Sequence, residues 1–155
     1  AGYNDKIMGM GTTATLAMIY RGKIITVHVG DSRAYAIGCG IKQITKDHSY
    51  VAELLSRGLI TPEQAKNHPK RNYITRAVGT EEFVKVDVCI KDYGGEVILV
   101  CSDGLFNCID DEEIKKIVQE NEDLQNAARM MIEKANENGG ADNITVALIE
   151  NKEDE

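Results

Sequence analysis

The sequence predicts an α+β domain, and three observations carry that prediction. Apolar, β-branched runs recur in pairs across glycine-containing breaks, first in the opening third and again near the middle. Two segments of helical periodicity, the first opened by a capping residue, follow the most apolar run, and a last short apolar run closes the pattern. Helices apolar on one face must bury it, so this order implies helices packed on mainly antiparallel sheet.

The runs Thr12 to Tyr20 and Lys23 to Val29 are separated by Arg21-Gly22, which reads as a hairpin turn. Ala34 to Ile37 and Ile41 to Thr45 are split by Gly38-Cys39-Gly40, again a reversal, and the first third is expected to be an antiparallel meander. After Asp47-His48-Ser49 the spacing of Val51, Leu54 and Leu55 predicts a helix that Gly58 can end in the left-handed conformation. Thr61-Pro62-Glu63-Gln64 combines a Thr cap, Pro in the first turn and Gln at the third position, so a second short helix starts there. His68-Pro69-Lys70-Arg71-Asn72 reads as irregular and exposed, and about 49–80 form a helical insert.

Strands are predicted again at Val84 to Ile90 and at Glu96 to Cys101, the second apolar enough for a central, buried position. One helix is capped by Asp110, with Glu113 three residues on and Ile114, Ile117 and Val118 inward. Another starts near Asp123 and turns Leu124, Ala128, Met131 and Ala135 to one side. Gly139-Gly140 stops it, Asn143 to Ile149 forms the closing strand, and the acidic tail 150–155 has nothing to pack against. Nothing divides residues 1–155 into two domains.

A chain of 155 residues, 43% of them hydrophobic, can bury a core without disulfides. Its net charge of −7 repels nucleic acid and anionic membrane alike. Cys39, Cys89, Cys101 and Cys108 show no C-x-x-C spacing and are read as reduced thiols. No apolar run reaches membrane-span length and no leader is recognisable at Ala1, so a cytoplasmic setting is expected.

Three aspartates stand where chemistry is displayed. Asp103 follows a buried strand and precedes Gly104, Asp142 enters the last strand from the Gly139-Gly140 loop, and Asp31 lies in Gly30-Asp31-Ser32-Arg33. Carboxylates at strand ends suit hard divalent cations such as Mg²⁺ or Mn²⁺. Asp beside Gly is also a common turn residue, and Asp142 can instead bond within its own loop.

The runs Gly9-Met10-Gly11-Thr12-Thr13, Val29-Gly30-Asp31-Ser32-Arg33-Ala34-Tyr35, Thr45-Lys46-Asp47-His48-Ser49, Asn72-Tyr73-Ile74-Thr75-Arg76-Ala77-Val78-Gly79, Cys101-Ser102-Asp103-Gly104-Leu105 and Gly139-Gly140-Ala141-Asp142-Asn143-Ile144-Thr145-Val146 resemble, in order and spacing, bacterial-type members of the metal-dependent type 2C (PPM) Ser/Thr protein phosphatases. The resemblance implies two antiparallel sheets sandwiched between helices and a centre of two or three Mg²⁺ or Mn²⁺ ions. It implies Asp103 and Asp142 on one ion, Asp31 with Asp103 on a third, weaker one, and Asn143 and Gly104 just behind these ligands. Phosphorylated proteins are the implied partners, hydrolysed at phosphoserine or phosphothreonine, with the insert acting as a flap where His68, Lys70 and Arg71 meet substrate. His48 is not assigned as a general acid; it is read as structural, at the entrance to the flap.

Members of the family begin with a segment supplying a phosphate-binding Arg, an acidic residue in an Asn-Glu-Asp-like string and an Asp-Gly pair that bridges two ions. Upstream of Gly9 only Asp5 is acidic and no Asp-Gly step occurs, so the chain is expected to be a C-terminal portion with bare apolar sheet surface. It would be inactive alone and would gain its missing part in trans or associate with itself. A catalytically inactive binding module on the same scaffold is the competing reading.

Overall fold

The computed structural model describes residues 9–151; Asp5 and the tail from Lys152 onward lie outside the described residues. Seven strands form two antiparallel sheets. The first has the order β1-β2-β5, from Ala14–Tyr20, Lys23–Val29 and Asp87–Asp92. The second has the order β4-β3-β6-β7, from Ile41–Gln43, Arg33–Ile37, Val97–Cys101 and Val146–Ile149.

The β1-β2 hairpin turns at Arg21 and Gly22, with φ of 50° and 70°. Two left-handed residues in a two-residue loop match the twist of the flanking strands. The expected meander is instead divided between sheets: after Val29 the chain leaves the first sheet through Gly30 (φ 112°) and enters β3 of the second. A Cβ at Gly30 would lie 2.3 Å from Thr13 Cγ2, so this crossing admits only glycine.

Of the expected strands that fall short of their apolar runs, two do so because the partner strand ends. β5 starts at Asp87 rather than Val84, because Asp87 pairs with His28 and β2 ends one residue later. β7 starts at Val146 rather than Asn143, because Val146 pairs with Cys101, the last residue of β6. β4 stops at Gln43, and beyond it the Thr45 hydroxyl, rather than a backbone carbonyl, accepts the Ala34 N–H at 3.0 Å.

α1 forms over Tyr50–Ser56, where the apolar spacing predicts it, with Ser49 as its cap, and α2 over Pro62–Lys66 with the expected Thr61/Gln64 capping box. A four-residue helix that the sequence pattern does not announce, α3 over Asp103–Phe106, follows β6 directly. Asp110 and Asp123 cap α4 (Asp111–Glu120) and α5 (Leu124–Glu137). On α5 Ala127, rather than Ala128, shares the buried line with Met131 and Ala135, and Leu124 is half-buried.

The main core joins Tyr35, Ile37, Leu99 and Cys101 of the second sheet to Leu105, Ile114, Ile117, Val118, Ala127 and Met131 of the helices. Alternation turns the fully buried Ala34 and Ile98 the other way, toward the first sheet. That sheet's outer face carries two complete cross-strand rows, Leu16–Val27–Val88 and Met18–Ile25–Ile90, and Leu16, Met18, Val88 and Ile90 are all more than half exposed. No described helix covers them. At the last described residue the Asn151 N–H donates to the Tyr93 hydroxyl at 3.0 Å.

Candidate metal centre

β6 is paired on both sides, with β3 and β7, and ends at Cys101. Ser102 stands at the N-cap position of α3 without a side-chain capping bond, so Asp103 is the first residue of that helix, half-buried, at the end of a central strand. Asp31 reaches the same neighbourhood from the other sheet by the Gly30 crossing. Both line the head of one groove of about 960 Å³, which runs between the insert (Val51, Leu55, Lys66, Arg71) and the α3–α4 segment (Phe106, Asp110, Asp111).

Asp142 lies on the exposed loop before β7, and its Oδ1 accepts the Asn143 N–H at 2.7 Å, the in-loop bond open to such a residue. The Asp142 loop is nevertheless stitched to Asp103. Ser102 Oγ donates to the Asn143 carbonyl at 2.9 Å and accepts the Thr145 N–H at 2.9 Å, and the Ser102 N–H donates to the Thr145 carbonyl at 3.1 Å. Gly104 is buried directly beneath this loop.

The electrostatics of the aspartates suit a cation. Burial, and then the charge of Asp103, push the Asp31 carboxyl above its usual range. Asp103 is raised in the same sense, by burial and then by Asp142. Crowded carboxylates with raised pKa lack positive charge. Arg33 offsets this only in part, acting on both carboxyls from a distance, because its guanidinium forks onto Asp47 (Nε–Oδ1 3.1 Å, Nη2–Oδ2 2.8 Å) and lies 3.6 Å from the Phe106 ring centre. An all-oxygen donor set of this kind fits Mg²⁺ or Mn²⁺. It fits in pairs, for among the described residues no three His, Cys, Asp or Glu side chains converge to hold one ion.

Of the three flap residues, Arg71 lines the groove. Lys70 instead sits over the rings of Tyr50 and Tyr73 at 5.3 and 5.7 Å, and His68 packs on Tyr50 at 5.7 Å. Lys66, which sequence reasoning passed over, joins Arg71 on the groove wall; its place in the last turn of a capped helix was the available signal. The four cysteines are free, and burial pushes the Cys101 thiol up to about 12, which keeps it protonated and inert.

Comparison with known proteins gives this arrangement a class. The protein phosphatase 2C family model matches residues 75–144. A serine/threonine phosphatase of Listeria innocua is 42% identical over 144 residues, 92% of this chain and 57% of that protein. Protein phosphatase PhpP of Streptococcus pneumoniae is 39% identical over 99% of this chain and 63% of its own length. The crystal structure of the phosphatase Stp1 from Staphylococcus aureus superposes with a TM-score of 0.92 at 38% identity, over 97% of this chain and 60% of that one. The catalytic domain of the phosphatase PstP, solved with two manganese ions, superposes with a TM-score of 0.81 at 37% identity, over 90% of this chain and 58% of that one.

Two antiparallel sheets that gather acidic loops at the head of a groove are thus the architecture of metal-dependent Ser/Thr phosphatases. The chain belongs to the protein phosphatase 2C family. It spans about three-fifths of the length of the relatives it matches.

Proposed function

We propose that the chain is the C-terminal part of the catalytic domain of a protein Ser/Thr phosphatase, which hydrolyses phosphoserine and phosphothreonine in other proteins. The observation that carries this reading is the meeting of Asp31 and Asp103, both raised in pKa, at the head of a groove large enough for a stretch of polypeptide. Asp103 and Asp142 would hold one cation of a pair, and Asp31 with Asp103 a third, weaker one, with Gly104 and Asn143 keeping the two acidic loops together. When bound, Mg²⁺ or Mn²⁺ supplies an activated water and neutralises the charge that develops on the phosphoryl oxygens. The remaining ligands are expected from polypeptide equivalent to the two-fifths of Stp1 outside the match. The same polypeptide is expected to cover the bare face of the first sheet.

Arg71 and Lys66 form no salt bridge among the described residues, and they stand as the groove cations that meet an anionic substrate. In the completed enzyme Arg71→Glu is expected to raise KM while leaving kcat near its starting value, because the side chain is remote from the acidic loops in sequence and lies on the facing wall.

A binding module without catalysis is favoured by one observation, that the described carboxylates meet in pairs rather than threes. The experiment that separates the readings is hydrolysis of p-nitrophenyl phosphate and a phosphothreonine peptide with Mn²⁺. It is run on the 155-residue chain alone and with the N-terminal part of a relative supplied in trans, with Asp103→Ala as control. Activity that appears on addition and vanishes in the variant supports the phosphatase; binding of the added part without activity supports the module.

A further inference from the structure

His48 is 5% exposed and is bonded on every side. Its backbone N–H donates to the Gly30 carbonyl at 2.7 Å, and the Gly30 N–H donates to its ring Nδ1 at 3.1 Å. The two residues therefore clasp each other through a pair of hydrogen bonds. A ring nitrogen that accepts carries no hydrogen, so in the neutral imidazole the proton sits on Nε2. Nε2 lies 3.1 Å from Asp87 Oδ2, and Arg76 Nη1 lies 2.9 Å from Oδ1 of the same carboxylate and 3.0 Å from Nε2 itself; a guanidinium only donates, so of these two neighbours Asp87 is the one that accepts the Nε2 proton. The hydrogen bond from His48, then that from Arg76, keep Asp87 below the usual carboxylate range, so it is an acceptor at neutral pH. On the insert side the His48 carbonyl accepts the Thr75 N–H at 2.7 Å.

The clasp grips the loop that displays Asp31. Upstream, Gly30 is pressed against Thr13 with no room for a Cβ. Downstream, Ser32 is held by the Thr13 hydroxyl at 3.1 Å and the Thr15 hydroxyl at 3.3 Å. Asp31 is the residue between two fixed neighbours.

We infer that His48 is a positioning residue for Asp31: Asp87, on the edge strand β5, selects the imidazole tautomer, and that tautomer holds the Gly30–Asp31 peptide so that the Asp31 carboxylate stays at the groove head beside Asp103. The inference rests on the reading of Asp31 as a cation ligand. Without Asp87 the imidazole proton is free to move to Nδ1, where it faces the Gly30 N–H donor to donor, and the loop must shift to relieve the clash. Groups that orient metal ligands typically change affinity by about tenfold or more when removed.

The test is a titration of the 155-residue chain with Mn²⁺ alone, read by electron paramagnetic resonance of the free ion, with circular dichroism to verify folding. Asp31→Ala is expected to abolish the uptake attributed to this pair. Asp87→Ala is expected to weaken it by about tenfold, and Asp87→Asn, which keeps an acceptor toward Nε2, to restore most of it. Nitrogen NMR of the wild-type imidazole gives a readout that needs no variant: Nδ1 is expected bare and Nε2 protonated. A protonated Nδ1 overturns the inference. So does a folded Asp87→Ala chain that binds Mn²⁺ at the wild-type level, in which case the cation reading of Asp31 still stands. A wild-type chain that takes up no Mn²⁺, or takes it up equally with Asp31→Ala, rejects that cation reading first and the positioning role with it.

Discussion

Gly104 and Asn143 pack backbone against backbone, so closely that a Cβ at residue 104 would stand 2.4 Å from the Asn143 carbonyl oxygen. Two opposing effects meet in Gly104→Ala. Alanine favours the helix by about 1 kcal/mol, but overpacking against a backbone atom costs about 1–3 kcal/mol. The Asn143 carbonyl is main chain and cannot rotate away, so the second effect is expected to win. Urea denaturation should show a net loss of stability, and Mn²⁺ affinity should fall as the Asp103 and Asp142 loops are driven apart.

Asp47 holds Arg33 through both carboxylate oxygens and also accepts from Gln43 at 2.7 Å, with only 13% of its side chain exposed. Burial works against the charge on Arg33, yet the hydrogen bonds and charge of Asp47 outweigh it and hold the guanidinium above its ordinary range. Asp47→Ala leaves a mostly buried cation without its partner. Denaturant unfolding is expected to show a loss of about 3 kcal/mol.

His28 is 2% exposed, with Nδ1 at 2.9 Å from the Thr15 hydroxyl and Nε2 without a hydrogen-bond partner among the described residues. Burial, then the neighbouring His48, lower its pKa, although Asp47 and backbone carbonyls act in the other direction. A base with a depressed folded pKa is neutral in both states at high pH. As pH falls below about 6.5 the unfolded chain takes up a proton that the folded chain refuses, and stability drops. His28→Gln should remove this component. The difference between wild-type and variant melting temperatures is therefore expected to change across pH 5–7 and to be flat from 7 to 8.

The two apolar rows on the first sheet present four largely exposed side chains to solvent. The isolated chain is expected to associate with itself at high concentration in sedimentation experiments. Met18→Lys with Ile90→Lys should suppress this without lowering the melting temperature, because neither side chain contributes to the core. A strictly monomeric wild type at high concentration would count against the idea.

Much of the local structure was legible in the sequence because its causes are local. Thr61 and Asp110 cap the helices that their positions announce, and Gly58 has the left-handed φ of 67° expected of a helix stop. The strand ends at Val84 and Asn143 were not legible, since a strand lasts only as long as its partner and the partner is fixed by tertiary structure, and neither was the end near Thr45, whose hydroxyl takes the Ala34 N–H in place of a backbone carbonyl. The same holds for the site. Asp31 and Asp103 are visible as acidic residues at strand ends, but the clasp of His48 on Gly30 and the fork of Arg33 on Asp47 join residues that no spacing rule connects. Lys70 drew notice for its charge, yet it is Lys66, on the facing side of α2, that reaches the groove.

The insert has almost no interior of its own. α1 fully buries no residue and α2 buries only Ala65, while the loop after them is tied back by the Ser49–Ile74 bridge and the bond from the Tyr50 N–H to the Tyr73 carbonyl at 2.8 Å. Replacing a side chain there removes little packing, whereas a change at Gly30 or Gly104 collides with main chain or a fixed neighbour. The two sides of the groove therefore differ in how freely they can drift under mutation. The side with the aspartates is confined by sterics, and the side opposite it can be rewritten at small cost to folding.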